Sequence, residues 1–115
     1  MAFSEFETAR HLKLLEDFTE RYGPKPEIRH KLRWEHQVEV QSIILYEVRP
    51  RFMKPGELGR YGFAKATFVK KDKAWKVYWR RASGKWERYP PYPTAETLEE
   101  FLSLVLADEH HCFFG

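Results

Sequence analysis

The stretch FAKATFVKKDKAWKVYW, Phe63 to Trp79, decides how the rest of the chain is read. If Lys71 and Asp72 form the turn of a hairpin, Phe68 faces Trp75, Ala66 faces Val77 and Ala64 faces Trp79. Small residues then lie opposite large ones, which is how an interior face fills evenly. Trp75 and Trp79 are therefore predicted to lie in the core. The opposite face carries Thr67 beside Lys76, Lys65 beside Tyr78 and Phe63 beside Arg80, so it is basic and aromatic.

Downstream, Ala82-Ser83-Gly84 turns the chain again. A three-residue loop with Gly84 in the left-handed region places Trp86 opposite Arg80 and Arg88 opposite Tyr78, adding both to the basic face. A two-residue Ser83-Gly84 turn places Trp86 inside instead, opposite Arg81, and both turns are compatible with the sequence. Pro90, Pro91 and Pro93 stop the strand. Thr94 is read as the cap of a second helix, with Leu98, Phe101, Leu102 and Val105 along one side.

Upstream, Ser4 and Glu7 stand at capping-box spacing, and His11, Leu14, Leu15, Phe18 and Tyr22 recur at helical steps until Gly23-Pro24. Beyond Pro26, apolar and polar residues alternate from Ile28 to Val40, the pattern of a long half-buried strand. Ser42 to Arg51 pairs antiparallel with it through a short turn. The favoured register sets Val38 opposite Ile44 and Trp34 opposite Val48; the alternative sets His36 opposite Glu47 and Trp34 opposite Arg49. Phe52 to Gly62, with its proline and glycines, is read as a loop.

The expected fold is a single α+β domain over residues 1–115. It consists of an N-terminal helix, a strongly bent antiparallel meander of about five strands and a C-terminal helix. A chain of this length buries roughly two-thirds of its unfolded surface without staples. The single cysteine, Cys112, excludes an internal disulfide framework. The N-terminus has no basic-then-apolar leader pattern, and no apolar run is long enough to span a bilayer, so the expectation is a soluble cytoplasmic protein with no membrane partner.

Charge is distributed unevenly. Arg60 to Arg88 holds ten Lys or Arg against two acids, whereas Thr94 to Glu109 holds five acids and no Lys or Arg. Such a pair of blocks either neutralises itself within the fold or marks a polyanion site with an acidic flank.

Several short stretches together resemble a known family: PEIRHKL (26–32), LYEVRPR (45–51), KAWKVYWRRA (73–82), KWERY (85–89) and the DE..CFFG ending (108–115). They are similar, over nearly the whole length, to the bacterial proteins grouped as domain of unknown function 3024. That resemblance implies a bacterial single-domain setting and carries no assigned activity. The order of helix and meander is also similar in topology to Sm-like barrels. The Asp-x-Phe/Met-Asn turn and the Arg-Gly pair through which such barrels read RNA are absent, so no contact residue is carried over.

For function, the sequence singles out Phe63, Lys65, Lys76, Tyr78, Arg80, Trp86 and Arg88 as one face able to track phosphates and stack bases of single-stranded RNA or DNA. The alternative is an interaction module, a homo-oligomer using an exposed strand or its aromatic face, without catalysis. In DEHHCFFG (Asp108 to Gly115) only His110 with Cys112, or Asp108 with Cys112, chelates locally, and His30 and His36 would have to complete a site. The reading adopted is that Phe113 and Phe114 anchor the tail, Cys112 is a small apolar plug, and no metal or other cofactor is bound. No nucleophile elbow, phosphate loop or Ser/His/Asp order suggests an enzyme.

Overall fold

A computed structural model describes residues 2–114, the side chain of Pro55 excepted. Gly115, part of the tail motif, lies outside the described residues. The elements run α1 (Glu5–Tyr22), a 3-10 turn (Pro26–Ile28), β1 (Arg33–Val38), β2 (Ser42–Arg51), β3 (Lys54–Val69), β4 (Ala74–Arg80), β5 (Trp86–Arg88), β6 (Thr94–Ala95) and α2 (Leu98–Ala107).

The sheet order is β1-β2-β3-β4-β5, antiparallel throughout, with β6 pairing β4 in line with β5. β1 is one edge, β5 and β6 share the other, and the two edges are not joined. The expected strongly bent, Sm-like barrel is therefore wrong: the sheet is open. Its apolar face is covered by α1 and α2, so it does not have to fold over on itself to exclude water.

The central hairpin has the expected register, with Ala64 opposite Trp79, Ala66 opposite Val77 and Phe68 opposite Trp75. Trp75 is buried and Trp79 is half-buried against the core. Opposite these rings the alanines of β3 leave room for α2, which packs over β3, β4 and β6. Leu98, Phe101, Leu102 and Val105 of α2 join Leu15 and Phe18 of α1 over Ile43, Leu45, Ala64, Ala66 and Val77. Each such large apolar side chain contributes about 1.5–3 kcal/mol when fully buried.

Both helix starts are capped. Ser4 and Glu7 make the reciprocal capping box at 3.1 and 2.9 Å. The second cap is Thr97, whose hydroxyl accepts from the Glu100 N–H at 3.0 Å, and not Thr94. Thr94 pairs with Lys76 in β6, which the proline-rich approach disguised as loop.

Two further expectations fail in the first half. The alternating run from Ile28 begins as a 3-10 turn, so β1 starts only at Arg33. β1 and β2 pair with Val38 opposite Ile43, His36 opposite Leu45 and Trp34 opposite Glu47, through a two-residue Val40-Gln41 turn closed by Glu39 N–H to Ser42 O. That is one residue away from the favoured register, and such a slip exchanges the two faces of a strand. Ile43 and Leu45 enter the core, while Ile44, Tyr46 and Val48 face outward. The segment read as a loop after Phe52 belongs to β3, which starts at Lys54.

The C-terminal tail is tied by one carboxylate. Asp108 takes a left-handed conformation (φ 40°) as the cap of α2. Its oxygens accept the backbone N–H groups of Phe113 at 3.0 Å and Phe114 at 3.1 Å. Phe113 is buried beside Tyr89, and Phe114 stacks on Trp34 at 5.4 Å. Replacing Asp108 by Ala is expected to cost about 1–3 kcal/mol, the usual penalty for orphaned buried donors. Asp108→Asn, which still tolerates the left-handed region, should cost less in urea unfolding. Equal effects of the two variants would contradict this anchoring.

Burial lowers the pKa of His11, edge-on to Phe3 and Trp75, and of His36, whose buried Nδ1 has no hydrogen-bond partner among the described residues. A depressed histidine means that the unfolded chain binds protons more readily than the folded one. Stability is then complete above the ordinary value of about 6.5 and declines as pH falls below it. The melting temperature should fall between about pH 7.5 and 5.5, with a shallower slope in a His11→Gln/His36→Gln variant.

Candidate nucleic-acid interface

The face of the sheet opposite the helices is built by alternation on β3, β4 and β5. Lys65 lies opposite Tyr78, Thr67 opposite Lys76, Tyr78 opposite Arg88, and Arg80 opposite Trp86. The last two pairs require the three-residue turn, with Gly84 at φ 88° as the left-handed residue. Lys65, Lys76, Tyr78, Arg80, Trp86 and Arg88 thus share one face, as expected from the sequence.

Phe63 does not join them. The β2–β3 register shifts between Leu45 and Tyr46, so that Leu45 pairs Ala64 and Tyr46 pairs Gly62, leaving Phe63 as the extra residue of a bulge. A bulge re-aims the side chain it carries. Phe63 turns into the interior and packs at 5.6 Å on Trp34 and 5.1 Å on Phe114.

The bulge also brings Gly62 to the outer face, under Trp86. A Cβ at Gly62 would stand 2.9 Å from Trp86 Cζ2 and 3.6 Å from Ile44 Cγ2, so the indole lies on bare backbone beside an isoleucine. Ile44 and Val48 are buried here although both helices are on the other side. The result is a shallow apolar floor with cations around it. The Lys65 ammonium stands 5.6 Å from the Tyr78 ring and 5.9 Å from Trp86, and the Arg88 guanidinium stands 5.9 Å from Tyr78.

The two halves of this face differ electrostatically. On the β1–β2 side, Arg60 stacks on Tyr46 at 3.6 Å and pairs with Glu35 at 3.0 Å, and Arg33 shares the same carboxylate. On the β3–β5 side, Lys65, Lys76, Arg80 and Arg88 have no ion pair among the described residues. Arg88 instead donates to the Pro93 carbonyl at 3.2 and 2.8 Å, which orients it. Lys65, Lys76 and Arg80 keep their charge available.

Tyr46, Arg60 and Gly62 were not foreseen as part of this surface. Alternation along β2 would have found Tyr46 had the register been right, and Arg60 follows from its place two residues before Gly62 on the same face. In the tail, no group of three or more metal-binding side chains converges among the described residues. Burial raises the pKa of the Cys112 thiol, away from thiolate chemistry, and its Sγ rests 3.7 Å from the His110 carbonyl. His36 lies opposite Leu45 and not Glu47, which leaves no acid-base couple there.

The Gly62 contact generates a test. Gly62→Ala should push the Trp86 indole off the floor while the fold persists, because the clash is with the far end of a side chain. Acrylamide quenching of tryptophan fluorescence should rise in Gly62→Ala, and the rise should vanish in a Trp86→Phe background. Unchanged quenching would mean that Trp86 does not lie on Gly62.

Among the described residues no helix is long and apolar enough to cross a membrane. No curated protein and no solved structure matches the chain. Residues 3–115 match the model of a family described as Domain of unknown function (DUF3024), and with nearly the whole length covered, the chain belongs to that family.

Proposed function

We propose that the outer face of β3, β4 and β5 binds single-stranded nucleic acid, RNA foremost, in the cytoplasm and without catalysis. The observation that carries this reading is the set of cations without an ion pair among the described residues, Lys65, Lys76 and Arg80, around Tyr78 and Trp86 on the face that the helices leave uncovered. On the β1–β2 side of the same face, by contrast, Arg33 and Arg60 are matched with Glu35. Phosphates supply the missing partners, and Tyr78 and the open side of Trp86 supply stacking surface.

The tyrosine is set for this role by its neighbours. Lys65 and Arg88, on the adjacent strands, stand 5.6 and 5.9 Å from its ring and hold it between two cations. A base stacked there would place its phosphate near Lys76 or Arg80, the next outward residues along β4. No Asn or Gln lies among the six face residues, and cations interleaved with rings suit recognition of the strand more than of a sequence.

Fluorescence anisotropy of labelled single-stranded oligomers should show binding that weakens with salt. Three phosphate contacts give a slope of log K against log salt of about −2 for single strands. Tyr78→Ala should weaken binding by about 1–3 kcal/mol at every salt concentration, and Lys76→Glu should flatten the salt slope. No binding at low salt, or equal binding by folded variants, would overturn the proposal. A second reading, self-association, is favoured by the β2–β3 hairpin and not by this face.

A further inference from the structure

Past the last pairing of β1 with β2, at Arg33 and Val48, and of β3 with β4, at Ala64 and Trp79, the β2–β3 hairpin continues alone. Arg49 stays paired with Gly59, Pro50 with Leu58 and Arg51 with Lys54, so a two-stranded arm leaves the sheet. Its tip is Phe52-Met53, with Met53 in the left-handed region at φ 59°. Phe52 is 90% exposed and Met53 83%. Large apolar side chains held in water at the end of an ordered arm mark a contact site. Arg51 and Lys54 flank them, and the ion pair of Arg51 with Glu57 is loose at 3.6 Å.

The helix layer carries a matching depression. Between α1 and α2 runs an apolar groove of about 770 Å³, floored by Leu14, Phe18, Leu102 and Leu106. Asp17 and Glu99 line it and have no ion-pair partner among the described residues; Glu20 is held by Arg29, and Arg21 is the base in the lining. Within one copy the tip stays exposed and the groove open, so neither satisfies the other.

We infer that the Phe52-Met53 tip docks in the α1–α2 groove of a second copy of this chain. The two apolar side chains fill the floor, and Arg51 and Lys54 meet Asp17 and Glu99, so that shape and charge agree with the same partner. Tip and groove are different surfaces; two copies that exchange arms about a twofold axis close the arrangement with two equal contacts. This inference uses none of the residues of the nucleic-acid reading and stands or falls without it.

Sedimentation velocity without nucleic acid tests it. The wild-type chain should pass from monomer to dimer as concentration rises to about 100 µM, a range that reveals dissociation constants near 10 µM. Phe52→Ser/Met53→Ser should raise the dissociation constant by about 30-fold or more, the effect of removing a central apolar anchor. Leu106→Glu in the groove should do the same, with Asp17→Lys/Glu99→Lys as the second groove variant should Leu106→Glu fail to fold. Mixing the tip variant with a groove variant should give a 1:1 complex held by one of the two contacts, weaker than the wild-type dimer but tighter than either variant with itself, because each retains the half the other lacks. A monomeric wild type, a tip variant that dimerises normally, or a mixture that stays monomeric would each overturn the inference; the last would assign association to like surfaces meeting.

Discussion

Two alanines facing large residues across a hairpin determine the layout of this molecule. Ala64 opposite Trp79 and Ala66 opposite Val77 make one face of β3 and β4 large enough to fill and low enough for a helix to approach. α2 lies over those strands, and α1 closes the layer above β1. Once that face is the interior, strand geometry gives Lys65, Lys76, Tyr78 and Arg80 to the other side. The basic block of the sequence is thus placed on the sheet's back by the packing of its front. The acidic block is placed by the same step, since its apolar residues dock and its glutamates are left on the exposed side of α2.

The bulge at Phe63 is the second constraint, and it acts on both faces at once. It sends a phenylalanine inward, where Trp34, Phe114 and Phe63 form a ring cluster that secures the C-terminal tail. It also leaves a glycine facing outward under Trp86. A regular strand at this point would place Phe63 outside and leave the tail without its seat. The same local irregularity therefore sets the anchoring of the chain end and the flatness of the proposed binding surface. Beyond it β3 pairs with β2 alone, and past the last β1 partner at Val48 the two strands continue as the arm.

The sequence was most legible where composition was asymmetric. The small-against-large pattern specified the β3–β4 register and Ser4 with Glu7 specified the start of α1, whereas Ala82-Ser83-Gly84 left two turns open, of which the structure takes the three-residue one. It was least legible where both faces of a strand are apolar. In SIILYEV, Ile43 and Leu45 serve the core while Ile44 and Val48 serve the outer floor, so alternation could not choose the register with β1. Closure of the sheet was misread for a related reason: strand order alone does not say whether helices or further strands will cover an apolar face. Pro55 and the glycines at 56, 59 and 62 concealed the length of β3, because an extended arm tolerates the residues that usually mark a loop. Of the seven residues read as one surface, six share it, and the exception is the residue the bulge diverts.

The claim on which the rest depends is that β3 changes face between Gly62 and Ala64. Aromatic nuclear Overhauser contacts in a labelled sample test it most directly. Contacts are expected from the Phe63 ring to Trp34 and Phe114, together with contacts from the Gly62 α protons to the Trp86 indole. Contacts from the Phe63 ring to Tyr78 or Trp86 would place it on the outer face, remove the bulge, and contradict the account.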